Sequence, residues 1–179
     1  MPTYVALLRS VNVAGHGRLA MAELAQSFRA LGYDNVTTFI QTGNVIFTTA
    51  KKSPSRIVVD IEQQLARDFG SSPAVILRTP AELRAVLAAS PFPARGADPS
   101  RHHVTFMATP PDATRLAEFT PPASRNDELV VVGREIYVHT PDGYHETKLT
   151  GSLLERKLGV ITTTRNWNTV TKLGALLKK

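Results

Sequence analysis

The sequence predicts an α+β protein made of two βαββαβ halves, each an antiparallel sheet with helices on one face. Three observations carry that reading. Short β-rich runs alternate with helical stripes. Two hairpin signals, Thr42-Gly43 and Gly133-Arg134, fall at matching places in the element order. A proline-rich stretch, Pro91 to Ser100, separates the two rounds.

Thr3 to Arg9 is β-rich and wholly apolar from Val5 to Leu8, as a strand covered on both faces would be. Met21, Leu24, Phe28 and Leu31 recur at intervals of three and four, which is one stripe of an amphipathic helix, and Gly32 stands where a helix ends. Val36 to Gln41 and Asn44 to Thr49 flank the first hairpin signal. Ser53-Pro54 offers an N-cap followed by proline in the first turn. Ile57, Ile61 and Leu65 continue that helix to Gly70, and Ala74 to Arg78 completes the first round. Thr79-Pro80-Ala81-Glu82 is a capping box that opens one more helix, with Leu83, Val86 and Leu87 on its stripe.

The order then restarts. Val104 to Ala108 reads as a strand, and Leu116 and Phe119 mark a short helix. Leu129 to Val132 and Ile136 to His139 form the second hairpin. Leu149, Leu153, Leu154 and Leu158 make a helix ending before Gly159, Val160 to Thr163 a last short strand, and Asn166 to Leu177 a final helix. This is the ferredoxin-like, or α-β plait, order taken twice. Residues 1–90 hold the first half with its following helix, 91–100 the linker, and 101–179 the second half with its C-terminal helix. The repetition is one of element order; no residue-level match between the halves shows in the sequence.

Composition narrows the classes of function. The 179 residues are 42% hydrophobic, so a packed core is expected, and no apolar run reaches the length of a membrane span. There is no cysteine, which excludes disulfides, thiolate metal sites and cysteine nucleophiles. The start of the chain reads as a strand and not as a signal peptide, and the cytoplasm is the expected location. The net charge of +6 invites nucleic acid, yet the basic residues are dispersed, with Lys51-Lys52 and Lys178-Lys179 the only adjacent lysines.

No G-x-S-x-G, Walker loop or dinucleotide fingerprint is present; Gly15-His16-Gly17 lacks the third glycine. His139, His145 and Glu146 loosely resemble a metal set, but their spacing matches no helix-borne pair, so neither metal nor other cofactor is expected. His102 and His103 open a strand, where adjacent side chains point to opposite faces. The polar ends of elements are the better candidates. Arg9 and Asn12 follow the first strand, Gln41 and Asn44 bracket the first hairpin turn, and Lys148 precedes a helix. Arg165, Asn166 and Asn168 enter the last helix, where open N–H groups beside a guanidinium suit a phosphate or carboxylate. The structural alternative is equally concrete: Asn166 as an N-cap, Arg165 paired with an acid of the fold, and Trp167 as core.

Four stretches carry a resemblance. They are Tyr4-Val-Ala-Leu-Leu-Arg-Ser-Val-Asn-Val-Ala-Gly15, Phe39-Ile-Gln-Thr-Gly-Asn-Val-Ile-Phe47, Thr147-Lys-Leu149 and Thr164-Arg-Asn-Trp-Asn-Thr169. On these residues the chain resembles, from end to end, the bacterial family numbered 1697 among the domains of unknown function. Ser10 and Ala14 stand where that family usually has glycine, and Thr42 where it has serine. The resemblance implies a pair of α-β plaits and no particular reaction. The leading functional class is therefore a small-molecule or anion-binding protein, an enzyme of unidentified reaction included. A protein-interaction or regulatory module and a weak nucleic-acid binder are the alternatives. The RNA-binding form of the plait needs stacking aromatics on its central strands, where Tyr4 and Phe47 are the candidates. Neither membrane nor sequence-specific nucleic acid is an expected partner.

Overall fold

A computed structural model describes residues 1–12, 18–124 and 126–178. The chain divides into two compact units, Met1–Glu82 and Leu83–Lys179.

In the first unit, β1 (Thr3–Leu8) lies at the centre of a four-stranded antiparallel sheet. β2 (Asp34–Phe39) and β3 (Asn44–Thr48) form the hairpin, and β4 (Val75–Arg78) closes the far edge, giving the order β2-β3-β1-β4. α1 (Met21–Ala30) and α2 (Pro54–Phe69) share one face. Strand alternation turns Tyr4, Ala6 and Leu8 toward these helices, where they meet Leu24, Phe28, Ile57, Ile61 and Leu65. Tyr4, Phe28, Tyr33 and Phe47 form an aromatic cluster within this core, Tyr33 stacking on Phe47 at 4.8 Å. Val5 and Leu7, on the opposite face, are also fully buried, which is why Val5 to Leu8 is apolar without alternation. Ser53 caps α2 by accepting the Arg56 N–H, as Ser-Pro predicts.

In the second unit, β5 (His102–Met107), β6 (Glu128–Val132), β7 (Glu135–His139) and β8 (Thr162–Asn166) repeat the topology as β6-β7-β5-β8. α4 (Ala113–Glu118) and α5 (Gly151–Leu158) lie on the face of Met107, Ile136 and Val138. α6 (Trp167–Leu176) packs on the other face through Trp167, whose ring stacks on His102 at 4.2 Å. The second half thus has helices on both faces, where one was expected. Strand alternation is the reason: His102, Val104 and Phe106 share the second face and are buried, and α6 packs there through Trp167 on His102.

α3 (Pro80–Ala89) begins with the expected capping box, the Thr79 N–H donating to Glu82 Oε2 at 2.8 Å and the Glu82 N–H to Thr79 Oγ1 at 3.2 Å. The division between the units falls within this helix, ahead of Pro91–Ser100. The later turns of α3 belong with the second unit, because Val86 offers its carbonyl to Tyr137 Oη at 2.7 Å. Pro91–Ser100 itself holds a short 3₁₀ turn, Pro93–Arg95, and a second begins at its end, Pro99–Arg101. No helix among the described residues is long and apolar enough to cross a membrane.

Candidate functional site

The sheet of the first unit brings three segments to one end. The Leu8 N–H donates to the Gly43 carbonyl and the Arg9 N–H to the Ala74 carbonyl, both at 2.9 Å. Gly43 is required there: at φ +79, a Cβ would also stand 2.9 Å from Leu8 Cβ. Asn12 then ties the segments together. Its Nδ2 donates to the carbonyls of Gln41 (2.7 Å) and Leu19 (2.9 Å), while its Oδ1 accepts the Leu19 N–H at 2.6 Å. Asn44 is fully buried and donates Nδ2 to the Phe39 carbonyl and to Thr42 Oγ1. Both carboxamides therefore organise loops. Ser10, Gln41 and Thr42 are exposed and Arg9 is half-buried at the same end.

Backbone strain gathers at this end. Ser10, Asn12 and Ile40 have φ of 56°, 54° and 50°, in the left-handed region. Asparagine tolerates that conformation, but for other L-residues it costs about 1–2 kcal/mol, and for a β-branched side chain it is an outlier. Ile40 is also 45% exposed, so core packing does not offset its strain. Ala14 and Gly15-His16-Gly17, between Asn12 and Arg18 in the sequence, lie outside the described residues.

The Thr164–Thr169 motif divides among three structural roles. β8 runs to Asn166, later than the expected end at Thr163, because the β-branched Thr162–Thr164 continue straight into the helix cap. Arg165 is consequently a strand residue. It is buried, donates Nη1 to Thr163 Oγ1 at 2.7 Å and to the Thr164 carbonyl at 3.0 Å, and desolvation lowers its guanidinium to about 10. Asn166 caps α6 by accepting the Asn168 N–H at 2.9 Å, and its Nδ2 donates to the Ser100 carbonyl. Trp167 is buried and Asn168 exposed. Lys148 is exposed beside Thr147, whose Oγ1 donates to Asp127 Oδ2 at 2.6 Å and accepts the Leu149 N–H. Arg9, Asn12, Gln41 and Asn44 thus come together in the first unit, whereas Lys148, Arg165, Asn166 and Asn168 belong to the second.

His102 and His103 face opposite sides as expected. His102 lies between Trp167 and Phe92 and shares a hydrogen bond with Ser90 Oγ at 3.1 Å; His103 packs on Tyr144. Burial pushes both rings down to about 4. His139 Nδ1 stands 3.8 Å from Glu128 Oε1, and His145 and Glu146 are exposed. Among the described residues, no group of three or more His, Asp or Glu side chains is placed to hold a metal ion. Tyr4 and Phe47, the aromatics an RNA-recognition surface would need in the open, lie under the helices of the first unit.

One residue escaped the sequence reading. Arg78 pairs with Val5 across β1, is 1% exposed, and donates Nη1 to the Leu77 carbonyl. Arg165 pairs with Val104 across β5 and donates to the carbonyl before it in the same way. Arg78 is the last residue of β4 and Arg165 the last but one of β8, and in each case one capping residue, Thr79 or Asn166, leads on into a ten-residue helix. The sequence signal is Arg-Thr-Pro against Arg-Asn-Trp, visible only once the register aligns the halves.

Fold and site together define an α+β protein of two ferredoxin-like halves. The chain belongs to the family described as protein of unknown function (DUF1697), which matches residues 1–137. The solved structure of the conserved bacterial protein SP0830 from Streptococcus pneumoniae has the same fold: TM-score 0.79 at 24% identity, over 100% of this chain and 99% of that one. No curated protein matches the chain.

Proposed function

We propose that the first unit binds a small anionic molecule, a phosphate or carboxylate, at the end of its sheet formed by Arg9, Ser10, Gln41 and Thr42. The observation that carries this reading is the clustering of strained backbone at Ser10, Asn12 and Ile40, clamped by the Asn12 side chain. Strain of this kind persists where the surrounding structure holds it, and it concentrates at ligand clamps. Arg9 supplies the sign of the ligand, since a guanidinium matches the planar oxygens of carboxylate and phosphate. Ser10, Gln41 and Thr42 supply polar groups at its rim. The proposal is one of binding: Arg9, Ser10, Gln41 and Thr42 include no acid–base pair.

Thermal unfolding in the presence of inorganic phosphate, glycerol phosphate and citrate tests it. At least one raises the melting temperature of the native protein, and the gain disappears in Arg9→Met. Equal stabilisation of both proteins would move the site elsewhere.

A further inference from the structure

We infer that β6 is a self-pairing edge: two copies of the chain join through Glu128–Val132 into one continuous antiparallel sheet. This surface is separate from the proposed ligand site and does not depend on it.

Comparison of the four outer strands motivates the inference. β4 is buried along its whole length, and β8 is buried or half-buried throughout. β2 is polar, and a register shift between Asp34 and Thr37, with Asn35 at φ 50°, interrupts it as a pairing edge. β6 has none of these protections. It reads Glu128-Leu-Val-Val-Val132, pairs with β7 in unbroken register, and its three central residues are half-buried and its ends exposed. Among the described residues, no backbone hydrogen bond leaves it toward any element but β7. A straight, valine-rich edge without lysine, proline or bulge is a template for another extended backbone.

Register selects a second copy as that backbone. Val132 and Glu135 flank the two-residue turn, so Val132, Val130 and Glu128 direct their peptide groups to β7, leaving those of Leu129 and Val131 facing outward. In a twofold pair centred on Val130, Leu129 exchanges both hydrogen bonds with Val131 of the other copy, and the reverse. Val130 meets its own counterpart in the close, non-hydrogen-bonded position. The sequence Leu-Val-Val is then self-complementary, with apolar side chains against apolar ones and no like charges opposed.

Because the chain has no cysteine, single-cysteine variants test the pairing and its register together. Across the axis the two Val130 Cα atoms would lie about 4.5 Å apart, within disulfide reach, whereas two Val132 positions would be separated by about 14 Å. Val130→Cys is expected to form a disulfide-linked dimer under mild oxidation and Val132→Cys to form no crosslink. Sedimentation of the native protein is expected to show concentration-dependent dimerisation, abolished in Val130→Lys while its circular dichroism stays native. A native protein that sediments as a monomer at its highest soluble concentration, or equal crosslinking of both cysteine variants, would overturn the inference.

Discussion

Arg78 and Arg165 occupy the same position in the two halves. Each is the cross-strand partner of a fully buried valine, Val5 or Val104, and each bonds the carbonyl of the residue before it. A buried guanidinium at the strand–helix junction is thus a repeated structural device. Truncating it removes a large buried side chain and leaves its acceptors without a donor. Arg165→Ala is expected to lower unfolding free energy by about 3–4 kcal/mol. Arg165→Lys is expected to recover little, because one ammonium does not reproduce the fork between Thr163 and Thr164. Urea unfolding of the two variants measures both effects.

Trp167 anchors the start of α6 by stacking on His102. Trp167→Ala is expected to cost about 3–5 kcal/mol and Trp167→Phe less, since the smaller ring keeps part of the stack. Calorimetry gives the difference. As the sole tryptophan, Trp167 also reports unfolding of this face by fluorescence.

Acid should destabilise the protein through His102 and His103. Both are held near 4 by burial, with His103 and His139 adding to the effect on His102. In the unfolded chain these rings titrate near 6.5, so unfolding takes up protons between those values. Their contribution is complete above about pH 6.5 and falls as the pH drops toward 4, by up to ~1.4 kcal/mol per pH unit for His102 and less for the half-exposed His103. Asp60 and Asp68, depressed by hydrogen bonds from Lys51 and Ser27, act at lower pH. Urea midpoints followed from neutral to mildly acid pH are expected to decline, and His102→Phe to flatten that decline.

The strain at Ile40 has a measurable consequence. Ile40→Gly relieves a left-handed β-branched residue and is expected to raise stability by up to about 1 kcal/mol, glycine's unfolded-state entropy offsetting part of the gain. Asn12→Ala breaks the clamp between Leu19 and Gln41 and is expected to lower stability by about 1–2 kcal/mol. A stabilised Ile40→Gly protein that binds its ligand less well would link strain to function.

The element order was legible because each signal is local: the Ser53 cap, the Thr79–Glu82 box and the glycine turns act within a few residues. Which polar residues serve loops and which remain open was not legible, since Asn12 reaches Gln41 and Asn44 reaches Phe39 only after the hairpin closes. Arg165 was placed beside a helix N-terminus because its sequence neighbours are those of a cap. The strand continues three residues past Thr163, to Asn166, and buries the Arg165 side chain. Arg78 was invisible for the same reason: its likeness to Arg165 lies in cross-strand register, a tertiary quantity.

The proposed site is tested most directly by the backbone amide spectrum of isotope-labelled protein during titration with inorganic phosphate, glycerol phosphate and citrate. Saturable shifts confined to Arg9, Ser10, Gln41 and Thr42, and lost in Arg9→Met, are the predicted result. Shifts centred on another segment, or none with any of the three anions, would contradict it.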